Sequence, residues 1–252
     1  MLKSNKNDTL NVTNVTKKER LMMYQKYIPL LIKTPLFQGS ETHEVEGLVL
    51  CLNPIIRKYI KSELVTLEGH SISSIGLVLE GTLMITRDII DGSRIVMKKV
   101  GPGEMFGEIA AFSDSKIWPA TVIAQEDAVV MFMPSDKIVG ICPTGCIGHK
   151  KLMSNMLRII SNKAIQLNEK IGYLSVKSIR EKIAKYLIDQ YRIQQQKTLY
   201  LNMNRNEMAE YLNVTRPSLS REMASMKEEG LIDYYRSSVK LLDIPKLTHY
   251  LQ

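Results

Sequence analysis

At 252 residues the chain has room for one large domain or two modest ones, each able to bury its own core. Its 44% hydrophobic and 24% charged content suits a soluble globular protein, and no apolar run is long enough to cross a bilayer. The formal net charge of +8 favours a polyanionic partner without choosing among DNA, RNA and a membrane surface, and residues 175–252, with 13 Lys+Arg and 9 Asp+Glu, carry only half of it.

Met1 to Lys18 is rich in Asn, Thr and Lys, has little to bury and reads as a flexible tail without a signal-peptide core. Lys17 to Leu36 reads as one or two short helices, broken at Pro29 and ended before Pro35. From Cys51 to Phe132 the pattern changes to short β-type runs. These are Leu64 to Leu67, Gly76 to Leu79, Thr82 to Thr86, Ile95 to Met97 and Val129 to Phe132. Glycine turns separate them, at Gly69, Gly81, Asp91-Gly92 and Gly101-Pro102-Gly103, and Asp91-Gly92 carries a hairpin signal. Evenly spaced short strands of this kind predict a barrel or sandwich rather than a parallel α/β sheet.

The three cysteines, Cys51, Cys142 and Cys146, do not form a disulfide framework in a chain this size, so a reducing cytoplasm is the expected location. After Pro143 the chain becomes helical. Met153, Leu157, Ile160, Ala164, Leu167, Ile171 and Leu174 alternate spacings of four and three, the 3.5-residue repeat of a coiled-coil dimer seam. A helix packed on its own domain would show a wider stripe, nearer 3.6. A further helix from Ser178 to Gln190 turns Ile179, Ile183, Tyr186 and Leu187 to one side, and a short strand follows at Leu199 to Leu201.

The most informative stretch is Asn204 to Met223. Met208, Ala209 and Leu212 give a first helix an apolar edge, and Asn213 suits a left-handed break. Thr215 can cap a second helix with Pro217 in its first turn, turning Val214, Leu219 and Met223 inward. That leaves Arg216, Ser218, Ser220 and Arg221 outside, the pattern of a helix-turn-helix DNA reader. Gly230 stops the second helix, and the strands Leu231 to Tyr235 and Val239 to Leu242 form a wing around Arg236, Ser237 and Ser238. The candidate DNA contacts are Arg205, Asn206, Thr215, Arg216, Pro217, Ser218, Ser220 and Arg221. Arg216 and Arg221 suit base reading, while Arg205 and Asn206 suit phosphate.

A glycine-punctuated β-roll, a long seam helix and a winged helix-turn-helix, in that order, resemble the Crp/Fnr family of bacterial transcription regulators. The resemblance runs from about Tyr27 to Asp243 and rests chiefly on Gly76 to Gly81, on Gly101 to Glu108 and on the helix-turn-helix. It implies an α+β fold: an N-terminal double-stranded β-helix (jelly-roll) sensor domain, a coiled-coil dimerisation helix and a C-terminal winged helix-turn-helix. The corresponding divisions are a tail at 1–18, a cyclic-nucleotide-binding-like β-roll at 19–142, the dimerisation helix at 143–175 and the DNA-binding domain at 176–252. It also implies a homodimer on two-fold symmetric double-stranded DNA, with RNA polymerase as a further partner; separately, no catalysis, cofactor, bound metal or membrane contact is expected. Asn213, where glycine is frequent, and Glu222, where an apolar residue is usual, depart from the motif without breaking it.

The sensory half departs further. By the resemblance, Glu108 stands in the ribose-binding position, while Trp118 stands where cyclic-nucleotide-binding members place a phosphate-neutralising arginine. An indole offers one hydrogen bond and no charge, so no cyclic AMP response is expected. The expected effector pocket comprises Phe106, Gly107, Glu108, Trp118, Pro119, Ala120 and Thr121, with the seam helix beside it. Either a small apolar effector or the protein's own side chains fill it. Two other readings remain: a metal- or redox-responsive regulator using Cys142, Cys146 and His149 with Cys51 as a further ligand, and a constitutive DNA binder without ligand. No triad, phosphate loop or metalloprotease motif points to an enzyme.

Overall fold

The computed structural model describes residues 17–88, 94–140 and 147–251. The chain forms two compact units that meet in sequence at Ser161 and Asn162. The first begins with α1 (Lys17–Gln25), α2 (Ile28–Leu31), a 3-10 turn (Pro35–Phe37) and α3 (Thr42–Leu52). Pro29 does not break a helix as its sequence position suggested. It occupies the first turn of α2, where its missing N–H costs nothing, and the interruption falls at Lys26 and Tyr27 instead. Helix α2 ends at Leu31, before Pro35 as expected, and Pro35 opens the 3-10 turn after the extended Thr34 (ψ 150°). Helix α3, capped by the reciprocal bonds of Glu41 and Glu44, was not anticipated.

The strands of this unit are β1 (Ile55–Tyr59), β2 (Leu64–Thr66), β3 (Ser74–Glu80), β4 (Leu83–Asp88), β5 (Arg94–Val100), β6 (Met105–Phe106), β7 (Thr121–Ala124) and β8 (Ala128–Pro134). Two short helices interrupt them, α4 (Glu108–Ala111) and α5 (Ser135–Val139). They make two four-stranded antiparallel sheets, ordered β1-β8-β3-β6 and β2-β7-β4-β5. Central β3 is buried from Ile75 to Leu79, which explains why it reads as a continuous apolar run rather than an alternating one. The core joins Ile75, Leu77, Leu83, Met131 and Met133 to Leu31, Phe37, Leu48 and Leu52 from the helices. Strands β4 and β5 pair as far as Asp88 and Arg94, with a register shift between Ile85 and Thr86; the Asp91-Gly92 turn between them lies outside the described residues.

Helix α6 (Ile147–Leu174) runs from the first unit into the second. Its first half buries Leu152, Asn155 and Met156 in the first unit. Asn155 Nδ2 donates to the carbonyls of Leu36 (3.0 Å) and Gln38 (2.9 Å), satisfying a buried amide that would otherwise be costly.

The second unit continues with α7 (Ile179–Gln194), β9 (Thr198–Tyr200), α8 (Arg205–Leu212), α9 (Arg216–Glu228), β10 (Ile232–Tyr235), β11 (Ser238–Leu241) and α10 (Ile244–His249). The three strands form an antiparallel sheet ordered β10-β11-β9, so the short strand ahead of the helix-turn-helix joins the wing. Ile183, Leu187, Leu212, Leu219, Met223 and Met226 lie in one core with the inner faces of these strands. Tyr173 at the end of α6 packs with Tyr186 of α7 and Tyr211 of α8, with ring centroids 5.2 to 6.4 Å apart.

Candidate nucleic-acid interface and sensor site

Asn204 caps α8: its side chain accepts from Asn206 and Glu207, and the Glu207 carboxylate accepts from the Asn204 backbone N–H (2.8 Å). The helix ends at Asn213, which takes the left-handed conformation (φ 52°, ψ 57°) in the place where glycine is frequent. Thr215 then caps α9 through the Ser218 N–H (3.3 Å), and Pro217 sits in the first turn. Leu219, Met223 and Met226 are buried, with Val214 half-buried beside them, so helix amphipathicity turns Arg216, Pro217, Ser220 and Arg221 to solvent. Ser218 is half-buried, and its Oγ receives the Thr215 hydroxyl (2.8 Å) and Arg221 Nη2 (3.5 Å). Gly230 closes α9 at φ +71°, a conformation that glycine adopts without the Cβ penalty.

The first turn of α8, Arg216 of α9 and the wing enclose a cleft of about 410 Å³ lined by Met203, Asn204, Arg205, Asn206, Arg216, Arg236 and Ser237. Three arginines and no carboxylate line it, so it is suited to an anion. Arg205 is held inside this cleft, its guanidinium 4.9 Å from the centre of the Tyr234 ring, and burial pulls its pKa below the usual arginine range. Arg236, at the tip of the wing with φ 53°, had no assigned role in the sequence. It follows from the hairpin register, since Tyr235 pairs with Ser238 and leaves only two residues for the turn.

In the first unit, most residues of the expected effector pocket are buried, and Trp118 and Phe132 also line a cleft of about 280 Å³ together with Ile72 and Ser73. Phe106, Glu108, Trp118, Ala120 and Thr121 are buried, Gly107 is half-buried and Pro119 is exposed. The rings of Phe106 and Trp118 are 5.8 Å apart, and Phe132 meets Phe106 edge-on at 6.2 Å. Gly76 leaves the space Phe106 fills, because a Cβ there would overlap the ring. Gly107 has φ +80°, and a Cβ on it would lie 2.6 Å from Trp118 Cη2 and 2.9 Å from Ile72 Cδ1. The indole therefore lies directly on the Gly107 turn, at the end of the Gly101 to Glu108 stretch. Its backbone is pinned as well, its N–H donating to the His70 carbonyl (2.8 Å) and its carbonyl accepting from Gly69 (2.9 Å).

Cys142 and Cys146 lie outside the described residues. Cys51 is half-buried on α3, and His149 is buried with Nε2 3.1 Å from the Ile138 carbonyl. Among the described residues no three His, Cys, Asp or Glu side chains gather as a metal site, and no helix is long and apolar enough to cross a membrane.

Comparison with known proteins agrees with this architecture. Residues 56–144 match the cyclic nucleotide-binding domain family, and residues 181–250 match the Crp-like helix-turn-helix domain. The chain is 26% identical over 199 residues to the transcriptional regulator LdrP of Thermus thermophilus, covering 76% of this chain and 94% of that one. It is 21% identical over 224 residues to a CRP-like cAMP-activated global transcriptional regulator of Mycobacterium tuberculosis, covering 86% and 96%. Among solved structures, the Thermus thermophilus catabolite activator protein aligns with a TM-score of 0.50 at 20% identity, over 86% of this chain and 98% of that one. OCPA-complexed CprK aligns with a TM-score of 0.54 at 14% identity, over 90% and 92%. The chain thus carries a cyclic nucleotide-binding domain followed by a Crp-like helix-turn-helix domain, and its homologues are transcription regulators of the Crp/Fnr family, a family without enzymatic activity.

Proposed function

We propose that the protein is a homodimeric, sequence-specific DNA-binding regulator that does not respond to cyclic AMP. The observation that carries the DNA reading is the doubly capped helix-turn-helix, whose second helix exposes Arg216, Ser220 and Arg221 beside a carboxylate-free cleft. In this reading Arg216 and Arg221 contact base edges, Pro217 and Thr215 contribute shape and methyl contacts, and Arg205, Asn206 and Ser218 meet phosphates. The pairing of two copies is supported by the seam: Met153, Leu157, Ala164, Leu167, Ile171 and Leu174 are all exposed on α6, an apolar stripe that a second helix would cover. Two copies present two reading helices, which suits a two-fold symmetric site and a cytoplasmic role next to RNA polymerase. The corresponding divisions of the chain are 1–18, 19–142, 143–175 and 176–252.

The absence of a cyclic AMP response rests on Trp118. Seating a phosphate against an uncharged, buried indole leaves the anion without a cation, at a cost of several kcal/mol. The tight Phe106–Trp118–Gly107 packing favours the constitutive form of this reading, in which DNA is bound with no nucleotide present. A gel-shift series on a selected duplex, with salt varied and cyclic AMP present or absent, tests both halves. Specific binding with a steep salt slope and no effect of the nucleotide is expected. A flat salt dependence would remove the DNA reading, and tighter binding with cyclic AMP would remove the second half.

A further inference from the structure

The sequence leaves Glu222 unexplained, a carboxylate on the inner flank of the second helix where an apolar residue is usual. Its partner is Arg180, in the first turn of α7, whose Nε donates to Glu222 Oε1 (2.6 Å). The other guanidinium nitrogens reach further along α9 and to α10. Nη1 donates to Glu229 (2.8 Å) and the Tyr250 hydroxyl (3.4 Å), and Nη2 donates to Glu229 (2.6 Å) and Ser225 (3.1 Å). An arginine has five N–H donors in a rigid fork, and here each has an acceptor. The group is three-quarters buried, so solvent screens these bonds only in part.

Glu222, Ser225 and Glu229 fall on one stripe of α9, at helical spacings of three and four. The apolar stripe of Leu219, Met223 and Met226 already attaches α9 to the core, and apolar packing along one line leaves rotation about that line poorly determined. A second, directional line of bonds beside the first removes that freedom. The first helix has a separate anchor: buried Lys182 donates from Nζ to the Leu212 carbonyl (3.1 Å), at the C-terminal end of α8 where a cation suits the helix dipole. Loss of Arg180 therefore releases α9 without releasing α8.

We propose that Arg180 is a positioning residue for DNA reading, fixing the rotation of α9 through its bonds to Glu222, Ser225 and Glu229. The proposal rests on α9 being the reading helix. The test uses full-length protein with two duplexes, one obtained by in vitro selection and one scrambled. Arg180→Met keeps the side chain's length and removes its donors. It is expected to weaken the selected duplex about tenfold while changing the scrambled one by less than about twofold, with the salt slope kept. Arg180→Met/Glu222→Leu is expected to recover about threefold of that loss, because a half-buried unpaired carboxylate is gone. If Arg180→Met does not fold, Glu222→Leu alone carries the test, with about a threefold loss confined to the selected duplex. Equal loss on both duplexes, or no loss on either, overturns the proposal. Failure of the wild-type protein to prefer the selected duplex would instead overturn the DNA reading beneath it.

Discussion

The seam can be tested by placing charge in it. Leu157 and Ile171 keep 68% and 63% of their surface exposed in the single chain, so most of their burial is still to come in a dimer. Burying such a side chain completely is worth ~1.5–3 kcal/mol, so two-thirds of it at two positions in two copies comes to about 4–8 kcal/mol. Replacing both by lysine forfeits that and sets like charges against each other, which predicts a dimer dissociation constant weaker by about three to six orders of magnitude. Lysine is the right replacement because glutamate would also repel DNA and mix two effects. Neither side chain packs in its own chain, so thermal stability at a concentration where both forms are monomeric should not change. Sedimentation velocity across micromolar concentrations reads the outcome. A Leu157→Lys/Ile171→Lys protein that still sediments as a dimer at the wild-type midpoint would refute the seam, whatever its DNA binding.

Three further outcomes follow from the sites. Arg221→Ala should relax base preference by ~1–3 kcal/mol at one position of each half-site in a gel-shift series over variant duplexes. Arg205→Ala should instead weaken all duplexes alike, and equal uniform losses from both changes would show the roles to be misassigned. Gly107→Ala should cost roughly 2–4 kcal/mol in chemical denaturation, from the left-handed φ of +80° together with the Cβ set 2.6 Å from Trp118 Cη2. An unchanged midpoint would mean the indole has room to move. Finally, Tyr173, Tyr186 and Tyr211 are each pushed above the ordinary value of 10.0, chiefly by burial, with Asp189 adding to the effect at Tyr173. Groups raised on folding stabilise fully below their unfolded pKa, so stability measured by denaturant titration should hold up to about pH 10 and fall above it. Tyr173→Phe, which removes one of these phenols, should blunt that fall.

Much of this arrangement is legible in the sequence because local chemistry decides it. Thr215, Asn213 and Gly230 each have a side chain or backbone freedom that suits one position at a helix end, and each is found there. The β-roll strands are equally plain where turns bracket them. What could not be read depends on distant partners. Helix α3 is more apolar than amphipathic from Val45 to Leu52, so its character emerges only from burial against α1 and α2. Pro29 looks like a break, yet it sits in the first turn of α2, because proline is tolerated at a helix start as readily as beyond its end. Arg205 reads as a surface phosphate ligand and is found half-buried on Tyr234, a contact set by the wing folding back. Glu222 looks out of place until Arg180, 42 residues away, is seen beside it.

That last pairing belongs to a wider pattern that resolves the weak charge signal of the C-terminal half. Net charge counts every acid against every base, but a nucleic acid approaching the protein meets only what is presented to it. In the second unit four of the acids are engaged by bases of the same unit. Glu222 and Glu229 lie on Arg180, Asp233 on Lys227 at 2.6 Å, and Asp189 lies 3.6 Å from both Lys185 and Arg192. Glu229 and Asp233 are accordingly held below the usual carboxylate range, first by their hydrogen bonds from Arg180 and Lys227. Meanwhile the cleft beside the reading helix is lined by Arg205, Arg216 and Arg236 with no carboxylate among them. A modest excess of positive charge thus becomes a locally basic surface because internal pairing takes up the acids on the flanks. Lys227 therefore bears on DNA affinity as well, since removing it uncovers the Asp233 carboxylate in the unit that must meet a phosphate backbone.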